Sequence, residues 1–256
     1  MMAFGDHLEV LRRMLFRVLG LATIFVCVIF CYKQDTFFML LAPCDSSFYT
    51  YKVIEKILAI FNIHYQFEKI EIDLITTELS SQFIIHITTS FILGLLVTSP
   101  YIVYEFFKFI SPALYKEEKK YSIPIVISSY LLFFIGIIIN YFIIFPFALR
   151  FLGTYSVSET VHSTITLDSY VDTFISLSFM MGIVFQLPVI AFILSKLGII
   201  DSVLMINYRK HALIIIMLIA AIITPPDIMT LILVSLPLYL LYEASIIVVK
   251  FSSVSN

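Results

Sequence analysis

The sequence predicts an all-α integral membrane protein, and three observations carry that prediction. Of its 256 residues 61% are hydrophobic and 13% charged, whereas about a quarter of a soluble domain is charged. Mean hydropathy is +1.03. The apolar residues form long continuous runs, not the short alternating segments of a membrane barrel. A run exposed to lipid must satisfy its own backbone hydrogen bonds, so each is read as helical despite its wealth of Ile, Val and Phe.

Charged residues bound six candidate helices, at about 14–32, 83–106, 121–145, 171–195, 211–224 and 228–249. The first is expected to be a retained span and not a cleaved leader, because no small-residue cleavage site follows it. The outer loop that follows, about 33–82, carries Val53, Ile54, Ile57, Leu58 and Phe61 at helical spacing, which predicts short helices lying on the membrane surface. The second, third and fourth runs are long enough to span. Pro146 is expected to open a second outer loop, about 146–170.

The last two runs are different in kind. Between His211 and Glu243 the only charge is Asp227, which follows Thr224-Pro225-Pro226. The two uncharged arms, 212–226 and 228–242, each reach about 22 Å as helix, short of a hydrocarbon core of about 30 Å. A proline elbow joining short fifth and sixth helices is the expectation. No internal repeat is evident, and one domain over 1–256 is expected.

With both termini on one side, that side holds Arg12, Arg13, Arg17, Lys108, Lys116, Lys119, Lys120, Lys196, Arg209, Lys210 and Lys250, 11 of the 16 basic residues. The positive-inside rule then makes both termini cytoplasmic. The net charge of −2 gives no indication of nucleic acid. Cys27, Cys31 and Cys44 are too few for a disulfide framework and lack metal-ligand spacing. There is no Gly-x-Ser-x-Gly, no His-Glu-x-x-His and no phosphate loop, so no catalytic residue, metal or cofactor is expected.

Four places could carry function. Tyr115-Lys116-Glu117-Glu118-Lys119-Lys120 is either a solvated turn that fixes topology or a place where Glu117 and Glu118 receive a cationic ligand. His7-Leu8-Glu9-Val10-Leu11-Arg12 is either an interfacial start with snorkelling arginines or a second acidic contact on the same side. Gln186, midway along an uncharged run and two residues before Pro188, is either interhelical glue or a ligand contact within a cavity. Asp227 is read as facing water at the outer end of the elbow, where a carboxylate near a helix N-terminus also benefits from the dipole, and Glu243 is expected near the inner interface. A small-solute secondary transporter and a membrane scaffold remain open on these residues alone.

Taken together the motifs resemble TatC, the multispanning receptor subunit of the twin-arginine protein translocase. The resemblance rests on His7-Leu8-Glu9-Val10-Leu11-Arg12; on Phe109-Ile110-Ser111-Pro112-Ala113-Leu114-Tyr115-Lys116-Glu117-Glu118; on Phe134-Ile135-Gly136 with Tyr141-Phe142 and Phe145-Pro146; on Gly182 to Pro188; and on Thr224-Pro225-Pro226-Asp227 with Leu241-Tyr242-Glu243. It implies a glove-like six-helix bundle with a concave face, in the bacterial cytoplasmic (inner) membrane.

The resemblance also implies that twin-arginine signal peptides bind the cytoplasmic surface through the acid aligned with Glu118 and one in the N-terminal motif, with Phe109 in the same patch. Tyr141 aligns with a concave-face aromatic and Asp227 with the acid at the outer elbow. Partners of the TatA/TatB type, self-association in a receptor complex and transport of folded proteins driven by the proton-motive force follow from the same likeness. Two positions depart from the pattern. The family's N-terminal acid falls at Val10, and here the carboxylate is Glu9, about 100° around a helix. The commonly acidic intramembrane position is Gln186.

Overall fold

The computed structural model describes residues 4–45, 47–60, 74–110, 122–155, 164–224 and 227–254. Among these, five helical stretches are long and apolar enough to cross a membrane: Leu8–Cys31, Ser81–Glu105, Pro124–Thr154, Leu167–Lys196 and Ile228–Phe251. The chain is an all-helical, multi-pass membrane protein. It divides into two compact units, Met1–Thr36 with Phe83–Leu132, and Phe37–Gln82 with Phe133–Asn256.

The first unit is built on α1 (Phe4–Cys31) and on α4 (Ser81–Ile110), which continues through Pro100. Three contacts show that the two run antiparallel. Arg17 lies 3.1 Å from Glu105, Val26 meets Gly94, and the Phe30 ring stacks on His86 with centroids 4.2 Å apart. His86 Nε2 also lies 3.1 Å from Phe30 O. A Cβ on Gly94 would sit 2.4 Å from Val26 Cγ2, so the missing side chain is what lets the backbones approach, as small residues do between spans.

The second unit opens at Phe37, within the segment that follows the first span. The segment contains α2 (Lys33–Leu41), a 3₁₀ turn (Ala42–Cys44) and α3 (Tyr49–Ile60). Val53, Ile54 and Leu58 are half-buried and Ile57 exposed, whereas Phe61 lies outside the described residues. Hydroxyls tie this cap to the spans: Tyr141 donates to Met39 O at 2.7 Å, Tyr170 to Leu40 O at 2.7 Å and Thr50 to Phe142 O at 2.5 Å. A two-residue parallel pair, β1 (Leu74–Ile75) with β2 (Ile165–Thr166), joins the first and second outer loops.

The third span departs from expectation. It begins as α5 (Ser122–Ile139), passes through one π-helical turn (Asn140–Ile144) and continues as α6 (Phe145–Thr154). Pro146 therefore does not open the outer loop. It lies in the first turn of α6 but inside one continuous span, so its missing N–H removes a donor from the helix; Phe142 O, four residues back, accepts from the Thr50 hydroxyl, and the wider π turn ahead of it absorbs the local irregularity.

The fourth span is two helices, α7 (Leu167–Val184) and α8 (Leu187–Lys196), separated by Phe185-Gln186. Pro188 sits in the first turn of α8 and disfavours an uninterrupted ladder through that point. A short helix, α9 (Ser202–Asn207), follows, capped by the Asp201 carboxylate accepting from Leu204 N at 2.6 Å.

The elbow joins α10 (Arg209–Ile223), 15 residues long, to α11 (Ile228–Val254), 27 residues long. Only the fifth helix is short. The expectation of a short sixth helix is corrected because Glu243 ended the uncharged arm without ending the helix: its carboxylate accepts from Arg209 at 2.7 Å, and α11 continues to Val254. Thr224 leaves α10 in extended conformation; Pro225 and Pro226 lie outside the described residues. Buried Ala191, Met205, Ile246 and Val249 pack α8, α9 and α11 together.

Candidate functional site

The N-terminal motif lies on regular helix. His7, Leu8, Glu9, Leu11 and Arg12 all belong to α1, and Leu8 is 52% exposed. The Glu9 carboxylate is half exposed and reaches Arg13 one turn on, at 2.5 Å, so it is placed by its own helix face rather than by an unwound start. A pair this open is worth little energetically, which leaves Glu9 free to change partners.

Phe109 lies in the last turn of α4. Glu117 and Glu118 lie outside the described residues. The α1–α4 register nevertheless says what part of α1 adjoins that end. Arg17 is level with Glu105, and Glu9 lies eight residues, about 12 Å, further along α1. The remaining residues of α4 beyond Glu105 extend only about 7.5 Å. Glu9 is thus carried past the end of α4, toward the level at which the first inner loop begins.

Glu105 itself was not singled out by the sequence reading. Its side chain is 3% exposed. Arg17 approaches one carboxylate oxygen at 3.1 Å, and the Tyr101 hydroxyl donates to the other at 2.9 Å. A carboxylate at that depth must be paired to remain charged. One turn on, Lys108 lies over the Tyr104 ring at 5.8 Å from its centroid. The detectable signal was an acid inside the second apolar window and a base inside the first, both near the ends carrying other basic residues.

The remaining candidates do not gather into one site. Gln186 is half-buried, and its amide donates to Gly182 O at 3.4 Å within its own bent helix. An interhelical bond in this region is Asn140 Nδ2 to Ser178 Oγ at 2.8 Å, both residues fully buried. Tyr141 pins the outer cap through Met39, with Phe48 and Phe174 edge-on to its ring. Asp227 caps α11, accepting from Thr230 N at 2.7 Å and from the Thr230 hydroxyl. Glu243 stands sixteen residues further along α11, about 24 Å away, paired with Arg209.

No described group of three or more His, Cys, Asp or Glu could hold a metal ion. At the outer cap, burial pushes the Cys44 thiol up, which makes it less reactive. Burial also pushes the Tyr51 phenol up to about 12, against the opposing pull of Arg150, whose guanidinium sits 5.4 Å from the ring centroid.

Comparison with known proteins accords with these features. The family model described as "Sec-independent protein translocase protein (TatC)" matches residues 6–237. A TatC from Blattabacterium sp. subsp. Periplaneta americana is 35% identical over 251 residues, 96% of this chain and 94% of the relative. That of Aquifex aeolicus is 36% identical over 184 residues, 72% of this chain and 76% of the relative. A crystal structure described as the twin arginine translocase receptor TatC superposes with a TM-score of 0.72 at 32% identity, covering 96% of this chain and 99% of that one. The chain belongs to the TatC family of Sec-independent protein translocases.

Proposed function

We propose that the chain is the receptor for twin-arginine signal peptides and the core subunit of a translocase that moves folded proteins across the bacterial cytoplasmic membrane. The observation that carries this reading is the position of Glu9: a half-exposed carboxylate at the basic end of α1, extending past the helix end that bears Phe109 and leads to Glu117 and Glu118. Both termini are cytoplasmic in this reading. Two adjacent arginines meeting carboxylates at an interface form charge-assisted hydrogen bonds worth about 1.5–3 kcal/mol each before desolvation, and lysines lack the fork that makes such pairing directional. Leu8 and Leu11 supply apolar surface beside the acid.

Single-span partners of the TatA/TatB type complete the translocase, the chain self-associates in the receptor complex, and the proton-motive force drives transport. The test is photocrosslinking between a twin-arginine precursor and the full chain in membranes. Glu118→Ala and Glu118→Arg should abolish the adduct while leaving membrane insertion intact. An undiminished adduct in both variants overturns the assignment of Glu118.

A further inference from the structure

Glu105 is enclosed and its cation is not. The carboxylate is 3% exposed, whereas the Arg17 side chain that pairs with it is 47% exposed. The acid is further fixed by Tyr101, one turn away on the same helix. The result is a rigid anionic socket entered from the open side by a guanidinium on a long flexible stem. Among the described residues Arg17 meets one carboxylate oxygen of Glu105 at 3.1 Å, a contact that another guanidinium can make.

Filling an empty buried carboxylate requires desolvating a new cation, and emptying a filled one leaves a buried charge alone. Exchanging one guanidinium for another does neither, because the number of buried charges and ion pairs stays constant. A lysine exchanges less well, since its compact ammonium is more strongly hydrated and lacks the planar fork. Glu105 stands five residues, about 7.5 Å, before the end of α4, so the socket borders the end of the helix assigned to peptide recognition in the receptor reading.

We propose that Glu105 receives one arginine of the signal peptide, and that Arg17 is its resting occupant, displaced when the peptide binds. The proposal rests on the receptor reading above. It gives the site a second carboxylate, deeper than Glu9, and a built-in competitor that sets the threshold for binding.

The test measures affinity of the purified full-length chain for a synthetic twin-arginine peptide and its twin-lysine counterpart, in Arg17→Gln, Glu105→Gln, the double variant and the milder Arg17→Lys, each checked for monodispersity. Competition gives opposite signs. Arg17→Gln should bind the twin-arginine peptide several-fold more tightly and discriminate less against lysine. Glu105→Gln should bind several-fold more weakly, the double variant should match Glu105→Gln, and Arg17→Lys should fall between wild type and Arg17→Gln. A purely structural clamp weakens binding in both single variants, and that result overturns the proposal, as does wild-type affinity in Glu105→Gln. Should wild type bind with dependence on Glu118 while the Arg17 and Glu105 variants are unchanged, only this inference falls. Should wild type not distinguish the two peptides, the receptor reading falls with it.

Discussion

Asn140 donates its side-chain amide to the Ser178 hydroxyl at 2.8 Å, joining the third and fourth spans at a point where both residues are fully buried. Asn140 also opens the π-helical turn, and among the described residues its Oδ1 has no hydrogen-bond partner. The amide is therefore already under-satisfied, and Ser178 is what it depends on. Ser178→Ala removes one oxygen yet strands the Asn140 amide. Asn140→Leu removes the costly group, and the Ser178 hydroxyl left behind can bond to the carbonyl four residues back. Ser178→Ala is thus expected to destabilise by about 1–2 kcal/mol and to cost more than Asn140→Leu. Thermal unfolding in detergent checks the order, and the reverse order would make the pair a packing feature.

The contact of Gly94 with Val26 yields a matched set of substitutions. A Cβ at position 94 would lie 2.4 Å from Val26 Cγ2 and 2.9 Å from Val26 Cα, so Gly94→Ala forces α1 and α4 apart. Overpacking of this kind costs about 1–3 kcal/mol. Gly136→Ala meets the backbone oxygen of Met181 at 2.7 Å and should be at least as harmful, because a carbonyl cannot rotate away. Gly20, also on α1, has no described atom within 4 Å of its added Cβ; Gly20→Ala should be neutral or slightly stabilising, since alanine is the better helix former. Equal melting temperatures for Gly20→Ala and Gly94→Ala would refute the close approach.

Tyr51 links the outer cap to the third span by presenting its hydroxyl to Pro43 O at 3.2 Å and Pro146 O at 3.1 Å. With its folded pKa raised from 10.0 to about 12 by burial, the neutral phenol is the form that the fold prefers. Its contribution is complete below pH 10, where the phenol is neutral in both states, and is lost as pH rises through the window from 10 to 12. That loss amounts to at most about 2–3 kcal/mol. Tyr51→Phe should be less stable than wild type at pH 8 and should lose less stability between pH 10 and 12. Parallel decline of the two proteins across that window would contradict the shift.

How far the sequence spoke can be read from individual residues. The apolar windows located the five described helices long enough to cross a membrane, because hydrocarbon demands both apolar side chains and a helical backbone. Their ends were less legible: Glu243 and Pro146 mark where composition changes, while backbone hydrogen bonding continues past a paired carboxylate and through a first-turn proline. Asp227 at the start of a helix was readable from its place directly after Thr224-Pro225-Pro226. Glu105 was not, since its burial depends on Arg17, 88 positions earlier, and no local pattern encodes that antiparallel register. Asn140 and Ser178 were missed for the same reason, and Gln186, the conspicuous polar residue of the run, makes a bond within its own helix.

The elbow leads to the last prediction. α10 spans 15 residues, about 22 Å, whereas the apolar stretch of α11 spans 24, about 36 Å. Against a hydrocarbon core of about 30 Å α10 is too short and α11 too long, and we propose that the bilayer thins beside α10 or that a partner helix flanks it. Such thinning lowers the barrier to moving a polar chain across, so the short helix is the expected assembly point for translocation. Four leucines inserted in α10 should impair transport in vesicles containing the partner subunits and leave twin-arginine peptide binding unchanged. The same insertion in α11, already longer than the core, should be tolerated by a change of tilt. If the α10 insertion also transports normally, mismatch plays no part; if both insertions impair transport equally, the effect comes from disturbing the hairpin and not from the length of α10.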